Sequence, residues 1–176
     1  IRPIPELAGR IAALPYDVYN RREALDETRR EPLSFLKIDR AETQFPEDVD
    51  TYDPKVYEKA KELLNSMLQD GSFIMEDAPC YYIYELTMDG RSQTGIVACS
   101  SIDDYQNEII KKHEKTREDK ELDRIRHVDI TDTHTGPIFL VYRSVSVINQ
   151  IVEDAKQEAP LYDFVSSDGI RHRVFR

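Results

Sequence analysis

Apolar residues recur at helical spacing most clearly over residues 54–70, where Val56, Tyr57, Ala60, Leu63, Leu64, Met67 and Leu68 share one face. Asp53 can cap this helix, Pro54 suits its first position and Gly71 can end it. A shorter helix is predicted from Asn20, with Glu23 completing a capping box. Residues 42–52 between the two helices are acidic, hold Pro46 and read as a loop. The pattern then shifts to strands. Residues 80–86 and 94–102 flank the turn pair Asp89-Gly90, and residues 161–165 and 170–175 flank Asp168-Gly169, which predicts two hairpins. The apolar run 138–142 reads as a buried strand. Residues 145–156 read as a helix with Val147, Ile148, Ile151 and Val152 on its inner face. Strands that pair locally, with helices interspersed and no regular βαβ rhythm, predict an α+β fold. Its sheet should be mixed or antiparallel, built from hairpins with flanking helices.

The 176 residues suffice for one α+β domain with a real core. The chain opens without Met and stops inside an apparent strand, so the expectation is a single domain or the N-terminal part of a longer protein. A formal charge of −10 argues against a general nucleic-acid role. No apolar run approaches the roughly 20 residues that a membrane helix needs, and the first residues do not resemble a secretory signal. Cys80 and Cys99, without CxxC spacing, read as small buried strand residues and suit a reducing cytoplasm.

The segment 111–127, KKHEKTREDKELDRIRH, departs from this acidic background with seven Lys or Arg against five Asp or Glu. If residues 116–129 form a helix, Arg117, Lys120, Arg124 and His127 fall on one stripe, with Leu122, Ile125 and Val128 turned to the core. Three permanent cations and a titratable His make a cradle for phosphate or carboxylate oxygens. Lys115 and Thr116 stand near the helix start, where free N–H groups attract anions. Glu121 and Asp123 flank the stripe and would orient its cations or bind a metal through phosphates. The alternative is a solvated face laced with ion pairs. Against it, Lys120 and Arg124 are like charges at i,i+4, which costs an isolated helix a few tenths of a kcal/mol.

His113-Glu114 is not the HExxH zinc pattern, because Arg117 stands where the second His would be, so no zinc is expected. There is no Gly-rich phosphate loop and no GxSxG. A second cluster is PYDV at residues 15–18. Pro15 holds the chain extended while Tyr16 and Asp17 offer a hydroxyl and a carboxylate at a loop mouth. A plain turn before the Asn20 helix would use the same residues.

PYDV, SFLKI at 34–38, TMDGRSQTGIVAC at 87–99 and KKHEKTREDKELDRIRH together resemble the domain of unknown function 1015 family, in order along nearly the whole chain. The resemblance implies longer prokaryotic members in which a further motif, ADGHHRY, follows. That motif is similar to the phosphate-binding motif of the ParB and sulfiredoxin-like superfamily, which includes nucleotide-binding partition proteins and free-serine kinases. The resemblance therefore implies nucleotide-linked chemistry and adds weight to His113, Glu114 and the cationic stripe.

The function expected is a nucleotide-linked phosphotransferase, a small-molecule kinase of the free-serine type, using a nucleoside triphosphate with Mg2+. Glu114, Asp17 and His113 are the expected catalytic groups. Lys115, Thr116, Arg117, Lys120, Arg124 and His127 would bind phosphate, supported by Tyr16, Glu121 and Asp123. The ligand would be a small phosphorylated or hydroxylated molecule. A non-catalytic nucleotide sensor and a ParB-like DNA-binding regulator are the alternatives, the second disfavoured by the charge.

Overall fold

The computed structural model describes residues 1–112 and 115–176. In chain order its elements are β1 (Arg2–Pro3), α1 (Ala8–Ile11), α2 (Arg21–Arg30), α3 (Leu36–Asp39), α4 (Pro54–Gln69), β2 (Phe73–Ile74), β3 (Tyr82–Met88), β4 (Arg91–Val97), α5 (Ile102–Gln106), α6 (Glu118–Thr131), α7 (Ser146–Ala155), β5 (Tyr162–Val165) and β6 (Arg171–Phe175). Helices mix with two antiparallel sheets, which makes the fold α+β. The chain divides into two compact units, Ile1–Met75 with Glu118–Phe139, and Glu76–Arg117 with Leu140–Arg176.

The first unit is built on α4. Asp53 accepts from the Lys55 amide at 3.0 Å and Pro54 opens the first turn. The buried face of α4 presents Val56, Ala60, Leu64 and Met67 to Ile11, Ile38, Ala41 and Phe73. Each large aliphatic side chain removed from water there contributes about 1.5–3 kcal/mol. The helix stops where Gly71 takes a φ of 82°, which an L side chain rarely adopts. The capping box of α2 forms in both directions. Asn20 accepts from the Glu23 amide at 3.0 Å, and the Glu23 carboxylate accepts from the Asn20 amide at 2.8 Å. Helix α6 packs against α4.

The second unit is a four-stranded antiparallel sheet in the order β4-β3-β6-β5. Asp89 and Gly90 have φ of 51° and 76°, as a two-residue I′ hairpin turn requires. In the β5–β6 hairpin the positive φ falls on Gly169, at 83°. Helix α7 covers the sheet through Ile148, Val152 and Ala155, against Ile83 and Phe175. The Glu85 carboxylate, buried in this sheet, is held by Lys156 at 2.8 Å and by the Arg173 guanidinium.

Several expectations fail. Residues 138–142 form neither helix nor strand, and Ile138 is 77% exposed. An apolar run becomes a strand only by pairing its backbone, and pairing is a tertiary event. The return strand β4 ends at Val97 because Ser101 caps α5, accepting from the Asp103 amide at 3.2 Å. On α7, Val147 and Ile151 are exposed, since Ile148, Val152 and Ala155 form the i,i+4,i+7 row that meets the sheet. Cys80 is half-buried and Cys99 exposed, and both lie just outside the strands.

The largest correction concerns α6. Leu122 and Ile125, expected to be buried, are 45% and 49% exposed, while Asp123, His127 and Thr131 are buried. The inward face of this helix is polar because the surfaces it meets offer it hydrogen bonds.

A polar cluster beneath helix α6

Three stretches of the first unit converge on the inward face of α6. On α4, the Tyr57 hydroxyl donates to Asp123 Oδ1 at 2.8 Å, which satisfies a carboxylate that would otherwise be costly to bury. The rise in the Tyr57 pKa comes first from burial and then from this bond. The other oxygen of Asp123 accepts from Arg124, from Nη2 at 2.8 Å and Nε at 3.1 Å.

The short helix α3 supplies the second side. A helix leaves its last carbonyls without intrahelical partners. One of these, the Ile38 carbonyl, lies 3.2 Å from His127 Nε2. A carbonyl only accepts, so Nε2 carries the hydrogen and donates it. Next along, Asp39 Oδ1 accepts from the Thr135 hydroxyl at 3.0 Å and lies 3.9 Å from Arg124 Nη1. Burial raises the Asp39 pKa, against the opposing pull of Thr135, His127 and Arg124. Thr135 reaches this position because α6 is closed off by threonines. The Thr131 hydroxyl donates to the His127 carbonyl at 2.7 Å, the Thr133 hydroxyl donates to the Thr131 carbonyl at 3.1 Å, and Asp132 turns the chain at a φ of 51°.

The PYDV turn supplies the third side. The Arg124 guanidinium lies 4.3 Å from the centroid of the Tyr16 ring, within cation–π range. Arg40 fastens this turn. Its Nη1 donates to the Tyr16 carbonyl at 3.0 Å and the Tyr19 carbonyl at 2.6 Å, and its Nε donates to buried Glu42 at 2.6 Å.

His127 sits among these charges only 3% exposed. Its Nδ1 is buried and has no hydrogen-bond partner among the described residues. Burial is the first cause of its lowered pKa. Arg124 pushes the same way, while the bond to Ile38 and the carboxylates of Asp39 and Asp123 oppose.

Of the expected phosphate-binding residues, Lys120, Arg124 and His127 share one face of α6, with Lys120 at its outer end. The like charges at 120 and 124 do not face each other unrelieved. Lys120 Nζ donates to the Tyr52 hydroxyl at 3.2 Å, which raises the lysine's pKa, and Arg124 turns to Asp123. Lys115, Thr116 and Arg117 are exposed and precede the helix, in the other compact unit. Glu121 is exposed on α6, and Asp17 is exposed in its turn, where Tyr16 is the residue that meets the cluster. His113 and Glu114 lie outside the described residues.

Asp39, Arg40, Tyr57 and Thr135 belong to the cluster but were not singled out by the sequence. Asp39-Arg40 directly follows SFLKI, which was the available signal. Tyr57 reads as an ordinary core residue of α4, and nothing marks Thr135.

Among the described residues no three His, Cys, Asp or Glu side chains are grouped to hold a metal ion. No described helix is long and apolar enough to cross a membrane. The arrangement defines a mixed α+β protein with a buried acid–base cluster beside a partly exposed guanidinium. The family model described as "Protein of unknown function (DUF1015)" matches residues 1–176, and the chain belongs to that family. No curated protein and no solved structure matches it.

Proposed function

We propose that the cluster beneath α6 binds a phosphorylated ligand, and that its chemistry is phosphoryl transfer from a nucleoside triphosphate to a small hydroxylated metabolite. Arg124 carries the reading. It is a partly exposed cation stacked on Tyr16, and its Nη1 lies 3.9 Å from the Asp39 carboxylate, beyond a direct hydrogen bond. A phosphate oxygen there gains a charge-assisted bond and faces a planar fork suited to it.

In the transfer, the alcohol oxygen forms a bond to the terminal phosphorus and the bond to the nucleoside diphosphate breaks. The alcohol proton passes to a protein base. Cations must neutralise the developing charge, and a protein group must orient the hydroxyl. Arg124 and Lys120 would supply the first, and the cluster's own carboxylate, Asp39, the second. Mg2+ would arrive with the phosphates and would further offset the charge. The cytoplasm is the compartment we assign, since Cys80 and Cys99 are free thiols.

The test is ATP and CTP turnover by the chain with a panel of small alcohols, alongside thermal unfolding with each nucleotide and with phosphate. Turnover that needs the alcohol supports transfer. Stabilisation without turnover makes the protein a nucleotide sensor. The absence of both turnover and stabilisation overturns the reading.

A further inference from the structure

Two cations of α6, one helical turn apart, each rest on a tyrosine from a different loop. The Arg124 guanidinium lies 4.3 Å from the centroid of the Tyr16 ring. Lys120 Nζ lies 5.8 Å from that of Tyr52 and donates to the Tyr52 hydroxyl at 3.2 Å. Both loops are pinned by arginines. Arg40 holds the Tyr16 and Tyr19 carbonyls. Arg21 donates to the Val49 carbonyl at 2.7 Å and the Pro46 carbonyl at 3.0 Å, and Asp50 accepts from the Tyr52 amide at 2.9 Å. All four side chains belong to one compact unit. Solvent reaches them: Lys120 is exposed, Tyr52 is 37% exposed and the Arg124 side chain 32%.

Holding a long cationic side chain costs rotamer entropy, and like charges at i,i+4 work against a helix. Here two such side chains are held together, on supports that are themselves fixed. Tyr52 holds Lys120 through its oxygen as acceptor, so that bond does not use the hydrogen of the phenol. An anion beside Lys120 thus meets an ammonium and a hydroxyl donor.

We propose that this stripe is a diphosphate clamp, in which Arg124 takes the terminal phosphate and Lys120, with the Tyr52 hydroxyl, takes the phosphate next to it. The clamp rests on the phosphotransfer reading and deepens it by naming the anion class and its direction. The planar fork of Arg124 suffices for one phosphate. Side chains four apart on a helix start about 5–6 Å from each other, so the second cation fits a second phosphate joined to the first. Asp39, which orients the alcohol in that reading, lies 3.9 Å from Arg124 Nη1. The phosphate to be transferred therefore sits at Arg124, and the charge of the leaving group develops at Lys120. Glu118, Asp119 and Glu121, exposed in the first turn of α6, repel a bare polyanion, which favours the diphosphate as its magnesium complex.

The experiment is calorimetric titration of the 176-residue chain at fixed ionic strength with Mg2+, using inorganic phosphate, AMP and ADP as probes. Wild type should bind ADP about tenfold or more tighter than AMP, the worth of one charge-assisted bond. Lys120→Ala should remove that advantage and leave phosphate and AMP binding unchanged. Tyr52→Phe should remove part of it. Arg124→Ala, or Arg124→Lys should the alanine variant unfold by circular dichroism, should weaken all three ligands. Lys61→Ala, which removes an exposed cation from α4, is the control for net charge and should change none of them.

Equal affinity of wild type for AMP and ADP overturns the clamp. So does a Lys120→Ala variant that keeps the preference for ADP, or a Lys61→Ala variant that loses it. In each of these cases phosphate binding itself leaves the phosphotransfer reading standing. Failure of all three probes to bind wild type sinks that reading and the clamp together.

Discussion

The Tyr57 hydroxyl and the Asp123 carboxylate, 66 residues apart in sequence, meet at 2.8 Å and anchor the polar face of α6 to α4. Tyr57→Phe removes the donor but leaves the carboxylate buried. Hydrogen bonds to charged groups contribute about 1.5–3 kcal/mol, so the variant should lose about that much stability. Urea unfolding of both proteins measures it, and a loss below about 0.5 kcal/mol would mean that Asp123 does not depend on Tyr57.

Arg124 serves two purposes, and its removal separates them. Arg124→Ala leaves Asp123 without its cation. Because the side chain is about one-third exposed, solvent screening limits the cost to about 1–2 kcal/mol. The same variant should lose most of the thermal stabilisation that ATP, CTP or phosphate gives the wild type. Lys120→Ala lies on the exposed end of the stripe and should change the free protein by less than about 0.5 kcal/mol. Equal ligand stabilisation of Arg124→Ala and wild type would show that α6 carries no phosphate site.

Stability should fall as the pH drops below the ordinary histidine value. His127 has a lowered pKa in the folded protein, so the unfolded chain takes up the proton more readily. Its contribution is complete above about pH 6.5 and is lost as the pH falls through the folded value. His172 in the second unit is lowered by burial as well and acts in the same direction. Asp39, raised by burial, acts oppositely, since its contribution is lost as the pH climbs above the ordinary carboxylate value. It therefore offsets part of the loss only near the acid end. Unfolding of wild type, His127→Asn and His172→Asn between pH 7.5 and 5.5 should show each variant with a shallower slope than wild type. Parallel slopes would contradict the burial of both imidazoles.

The outward apolar residues of α6 should tolerate charge. Leu122→Glu and Ile125→Lys should each alter the stability of the chain by no more than about 0.5 kcal/mol. Leu64→Ala, in the core of the same unit, should cost about 2–5 kcal/mol. Chemical denaturation of the three variants is the check, and a large cost at Leu122 would place that residue inside.

What the sequence determined by itself were the features governed by a few adjacent residues. The Asp53-Pro54 start of α4, the Asn20–Glu23 box and the hairpin turns at Asp89-Gly90 and Gly169 each follow from local backbone chemistry, and each forms as expected. That Arg124 and His127 lie on one helix was legible from the residue pattern, though their partners were not. Only the tertiary structure decided which face of α6 turns inward. Helical periodicity marks Leu122 and Ile125 as the natural core stripe, but α4 and α3 present a tyrosine hydroxyl and an open carbonyl, and these match Asp123 and His127. The bonds responsible join residues 66, 89 and 96 positions apart. At such separations pairing depends on how whole elements pack, which no local pattern of residues encodes.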